Sequence, residues 1–264
     1  HLYETQQRYE EALNLTRQAI FYAKLDNTSF FTQQDQASEI LYRWQWQLGR
    51  LFKALKQTNE AIEALKDAVI SLQPIRFEMA TGYRRTEQSF RERVGPVYFE
   101  LADLLLQRAE KNNAQNHTQK RHDLIQTFDT IERFKTAELQ DYFQDDCVIK
   151  APLKQTSLLN ELAPNTAVIY PILLPTRTAI LLSLQGNIQQ FSLPVTASLL
   201  KDEVNEFRFE LEADDTTFFR SYAKRLYDWL IVPLSSSLKA QGVDTLIIVP
   251  DGVLRTIPFA ALHD

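Results

Sequence analysis

Over the first 148 residues, apolar positions recur three and four apart, the spacing that lines one face of an α-helix; from residue 166 onward they gather into short β-branched runs separated by prolines. In 42–73, Leu48, Gly49, Phe52, Ala61, Leu65 and Ala68 precede Pro74, and the pattern is that of a helix pair. Gly49, Ala61 and Ala68 are small enough to let two helices approach closely. A further helix is predicted from Glu87 to Glu110 by Phe90, Val94, Tyr98, Leu101, Leu105 and Ala109. Gly95-Pro96 is expected either to kink that helix or to start a new one. Another helix follows from about Arg121 to Phe143, along Leu124, Ile125, Phe128, Ile131, Phe134, Ala137 and Leu139. The polar stretch KNNAQNHTQK between them reads as a mobile loop.

The last hundred residues alternate strand and helix. Ala167–Leu173 and Thr178–Leu184 are β-rich, and Ile188–Val195 follows a Gln185-Gly186-Asn187 turn in which Gly and Asn tolerate positive φ. Leu199–Leu211 and Phe218–Leu238 have helical period. Thr245–Val249 (TLIIV) is a fully apolar run of strand length, of the kind buried on both faces of a parallel sheet, and it ends at Pro250-Asp251-Gly252. Eight of the ten prolines lie at or after Pro152, so the chain divides by secondary structure. We place a helical region at 1–148, a linker at 149–165 and an α/β region at 166–264. Charge does not mark this divide: residues 166–264 hold 8 basic and 11 acidic side chains, close to the balance of the remainder.

The helix pair resembles the tetratricopeptide repeat. With Gly49 as its eighth position, Leu48, Phe52, Ala61 and Ala68 fill the seventh, eleventh, twentieth and twenty-seventh. Trp44 and Trp46 flank the position where the motif carries tryptophan, which here is Gln45. The same frame fits Tyr3, Ala12 and Ala19, offset by 49 residues where the motif repeats at ~34. The excess falls around Asp26–Gln36 and reads as an insertion or longer helices.

Composition narrows the classes. With 264 residues, 44% of them hydrophobic, and a net charge of -5, the chain is long enough for one large or two ordinary domains and is not a disordered chain. No apolar run approaches the ~20 residues of a membrane span. A single cysteine excludes a disulfide framework and a Cys-based zinc cluster, and an acidic balance argues against a general nucleic-acid surface. Residue 1 is His with no leader before it, so the sequence is expected to begin inside a longer protein, with any targeting segment upstream; a cytoplasmic location is the expectation.

The stretches YFELADLLLQRAE, TIERFKTAELQDYFQDDC, AVIYPILL and DTLIIVPDGVLRTIPFAALHD, in this order, resemble the CHAT family of caspase-like domains associated with tetratricopeptide repeats, of cyanobacterial type. The resemblance spans about Ser89 to Asp264. It implies an α + α/β fold: helical tetratricopeptide-type repeats followed by the incomplete proximal part of a caspase-like α/β domain. It further implies cysteine proteolysis by a His–Cys dyad placed beyond the Pro250-Asp251-Gly252 segment, hence no catalytic residue in this chain. The chain would then recognise a protein partner or substrate through the repeat face and support a downstream catalytic part of the same parent. An inactive interaction scaffold is the alternative. Thr245–Val249 and the apolar tail 257–262 would stay uncovered until downstream elements pack on them.

Cys147 follows Asp145 and Asp146 at a helix end, where carboxylates and the negative dipole disfavour a thiolate, so a structural role is expected. His1, His117, His122 and His263 show no ligand spacing and no neighbouring cysteine, and Asp214-Asp215 reads as a helix cap near Thr216. No phosphate-binding glycine loop is present, and no cofactor or metal is expected. The cluster Arg84, Arg85, Arg91 and Arg93 is a solvated face or ion-pair network in one reading. In another, with Tyr83 and Phe90 beside it, it binds an anion, an acidic partner or an RNA complex. Asp251, Gly252 and Arg255 form a strand-end turn that supports the following segment, with contact to a substrate as the alternative.

Overall fold

A computed structural model describes residues 2–26, 34–72, 89–112, 116–143, 163–213 and 217–264. The chain forms two compact units, His1–Leu153 and Lys154–Asp264. The first is all helix: α1 (Leu2–Thr5), α2 (Tyr9–Asp26), α3 (Gln34–Ala54), α4 (Thr58–Leu72), α5 (Phe90–Lys111) and α6 (His117–Phe143). Each helix packs against its neighbours in the chain.

Close approach at the α3–α4 crossing depends on small side chains. A Cβ placed on Gly49 would lie 2.6 Å from Leu65 Cγ, well inside contact distance. Ala61 and Ala68 are fully buried opposite, among Leu51, Phe52, Ile62, Leu65 and Leu72. The turn between the two helices recurs with the same geometry between α1 and α2. Gln57 N–H donates to Phe52 C=O at 2.9 Å and Arg8 N–H to Tyr3 C=O at 2.8 Å. The residue before each donor, Lys56 and Gln7, is left-handed, at φ 61° and 59°. Ala61 N–H then reaches Gln57 C=O, as Ala12 N–H reaches Arg8 C=O. The 49-residue offset of the sequence is therefore also an offset of structure at these two turns. Gln45 is buried, and its Oε1 has no hydrogen-bond partner among the described residues.

Helix α5 starts at Phe90, three residues later than its period predicts, because Ser89 and Glu92 form a capping box. Ser89 Oγ accepts from Glu92 N–H at 3.3 Å, and Glu92 Oε2 accepts from Ser89 N–H at 2.8 Å. The helix runs through Gly95-Pro96. Proline in the second turn costs one hydrogen bond, while Val94, Val97, Tyr98 and Leu101 anchor the segment in the core. Within the predicted loop KNNAQNHTQK, Lys111 and His117–Lys120 are helical, and 113–115 lie outside the described residues. Helix α5 continues to Lys111, and Asn116 Oδ1 accepts from Gln119 N–H at 3.0 Å to cap α6. Polar composition misled here because a capping residue is as polar as a loop residue.

The second unit holds a four-stranded sheet, β1 (Thr166–Leu173), β2 (Thr178–Leu184), β3 (Asn187–Leu193) and β4 (Thr245–Ile248), in the order β3-β2-β1-β4. β1–β2 and β2–β3 are antiparallel and β1–β4 is parallel. The β2–β3 turn places positive φ on Gln185 (49°) and Gly186 (75°), so Gln185 rather than Asn187 shares the left-handed region with the glycine. Helices α7 (Ala197–Glu212) and α8 (Phe219–Leu230) cover one face of the sheet. Leu200, Val204, Phe207, Ala223 and Leu226 pack there with Ala167, Ile169, Ile180 and Leu182. The helix expected over 218–238 is broken: α8 ends at Leu230, a 3-10 turn spans Val232–Leu234, and α9 is Ser235–Ala240. Pro233 has no N–H to continue α8, and its ring would meet the carbonyl four residues back.

β4 differs from its sequence expectation. It lies at the sheet edge, not between strands, and its residues alternate exposed and half-buried, with Ile247 at 40% exposure. Leu246 and Ile248 turn toward the helix-covered core, while Thr245 and Ile247 occupy the other face. Its pairing with β1 ends where Pro171 comes next in the series of β1 backbone groups directed at β4 (Asn165 and Ile169 accept from Thr245 and Val249 N–H), and proline has no N–H to extend the ladder. The apolar tail is not wholly uncovered either. Ile257 is buried in the same core, with Leu254, and Phe259, Ala261 and Leu262 are half-buried.

Candidate functional site

The strand-end turn is built by a glycine and a buried carboxylate. After β4, Asp251 is extended (φ -129°) and Gly252 is left-handed (φ 52°), a conformation a Cβ would strain. The chain then closes a 3-10 turn over Gly252–Thr256, where Leu254 N–H donates to Asp251 C=O at 3.1 Å and Thr256 Oγ1 to Val253 C=O at 2.7 Å. Asp251 is 1% exposed. Arg255 Nη2 lies 3.5 Å from Asp251 Oδ1, a counter-charge one turn further along the chain that offsets the cost of desolvating the carboxylate. The three residues predicted to act together are therefore brought together, and Leu254 between them is locked into the core. His263 is half-buried, with Nδ1 3.1 Å from Asp264 C=O.

The arginine cluster is only partly in view. Arg84 and Arg85 lie outside the described residues, as do Tyr83, Cys147, His1 and Asp214-Asp215. Arg91 Nη1 is 3.1 Å from Glu138 Oε1, and its guanidinium sits 5.2 Å from the ring centroids of both Phe99 and Phe134. Its charge is thus neutralised within the α5–α6 pair and its plane is flanked by rings, with cation–π attraction added to the ion pair. Arg93, two residues along, is half-buried. His117 and His122 are both exposed on α6, and the described residues hold no group of three or more His, Cys, Asp or Glu placed to share a metal ion.

Two polar networks escaped the sequence reading. Arg108 grips Asp123 through two bonds, Nε–Oδ2 at 3.0 Å and Nη2–Oδ1 at 2.7 Å, and donates to Asn59 Oδ1 at 2.8 Å. Gln119 Nε2 adds a third bond to Asp123. This pins α4, α5 and α6 together around a carboxylate with no exposure. In the other, Trp46 Nε1 donates to Glu100 Oε2 at 3.0 Å, Arg50 stacks 4.7 Å from the Trp46 ring, and Arg50 Nε reaches Glu4 Oε1 at 3.1 Å. Burial pushes the Glu100 carboxyl above the ordinary glutamate range, against the Trp46 hydrogen bond and the charges of Arg50 and Lys53. Asp129, Glu132 and Asp141 on α6 are likewise raised by burial. Partners 15 to 54 residues apart carry no periodic signal.

Among known proteins, no curated protein and no solved structure matches the chain. The family model of the CHAT domain matches residues 220–264. That stretch begins in α8 and takes in β4, the Asp251–Gly252–Arg255 turn and the 3-10 turn Phe259–Ala261 that follows it. The match supports a relation to the CHAT family over the part of the chain that builds this turn.

Proposed function

We propose that this chain is the recognition and support portion of a caspase-like cysteine protease of the repeat-bearing CHAT type, with the His–Cys dyad on sequence beyond it. The observation that carries this is the family match over 220–264, which falls on the segment where β4 feeds the turn that pairs buried Asp251 with Arg255. The outer edge of β4 adds support: an apolar edge strand suits a sheet that other strands extend. In the helical unit, the repeated turns at Tyr3–Ala12 and Phe52–Ala61 suit stacked tetratricopeptide-type pairs, whose concave face would receive a protein partner or substrate.

The test compares peptide-library cleavage by this chain with cleavage by the parent protein that carries it. Cleavage by the parent alone is the expected result. Hydrolysis by the chain alone, abolished by Cys147→Ala, would overturn the placement of the dyad. A parent that binds a partner but cleaves nothing would favour the scaffold alternative.

A further inference from the structure

We draw no further inference here: the strongest candidate, the outer edge of β4 with Ile247 exposed beside it, already serves the proposed function, and nothing in the structure shows what covers it.

Discussion

Asp123 has no exposure, and its carboxylate accepts two hydrogen bonds from Arg108 and one from Gln119. Removing one member of a buried ion pair leaves the other without compensation. Arg108→Met should therefore destabilise the chain by about 3–5 kcal/mol. Arg108→Met combined with Asp123→Leu should lose less than the single change, because no bare charge remains. Urea unfolding of both variants checks this, and equal losses would show that packing, not charge compensation, is at stake. Glu100 behaves in the opposite sense. Its folded carboxyl is raised, so the folded chain holds a proton that the unfolded chain releases. Its contribution is then best at low pH and is lost as pH rises from the ordinary glutamate range up to the raised folded value. Glu100→Gln, which keeps an acceptor for Trp46, should gain stability relative to wild type between about pH 4 and about pH 7. Unfolding free energies at the two pH values measure it; an unchanged difference would defeat it.

Helices α3 and α4 meet because one of them has no side chain at the contact. Gly49→Ala would push a Cβ against Leu65 Cγ and Cδ2, at 2.6 and 2.9 Å. Such overpacking costs about 1–3 kcal/mol, and Leu65→Ala in the same chain should make the Gly49→Ala change nearly neutral, since the colliding atoms are gone. Thermal melts of the four chains decide it, and additive losses would place the close contact elsewhere. At the sheet edge, Thr245 and Val249 donate to Asn165 and Ile169, so the alternate amides of Leu246 and Ile248 point away from β1. Amide exchange should be fast at Leu246 and Ile248 and slow at Val249. Uniform protection across 246–249 would mean that the edge is paired.

At the scale of the whole molecule, the helical unit holds its own core around Leu51, Leu65, Tyr98 and Phe134, and the α/β unit holds another around Ile169, Ile180, Phe207 and Leu226. No helix among the described residues is long and apolar enough to cross a membrane. The α/β unit already buries Leu254 and Ile257 by its own helices, so the tail asks less of any covering element than its sequence suggests. What stays open is β4, with Thr245 and Ile247 exposed. On the proposed function, the parent protein should therefore protect the amides of Leu246 and Ile248 that exchange fast in this chain, while Leu254 should be protected in both. Exchange measured on chain and parent tests it, and fast exchange at Leu246 and Ile248 in the parent would show that no strand is added there.

The chain's local spacing was enough to place most helices, all four strands and the exceptional small residues, since periods of 3.6 and 2 and a close helix contact are written within a few tens of residues. Gly49 with Ala61, and Gly252 after Asp251, were legible for that reason: each answers a constraint set by its own neighbours. Tertiary structure decided the rest. An apolar run such as Thr245–Ile248 looks alike in a central strand and at an edge, because only the presence of a second neighbouring strand separates them. Likewise Arg91 reads as a solvated face, an ion-pair member or an anion site until Glu138, Phe99 and Phe134 close around it, and nothing along the chain joins Asp123 to Arg108 on another helix. Burial and pairing are properties of what lies across space, and the spacing along the chain carries no record of it.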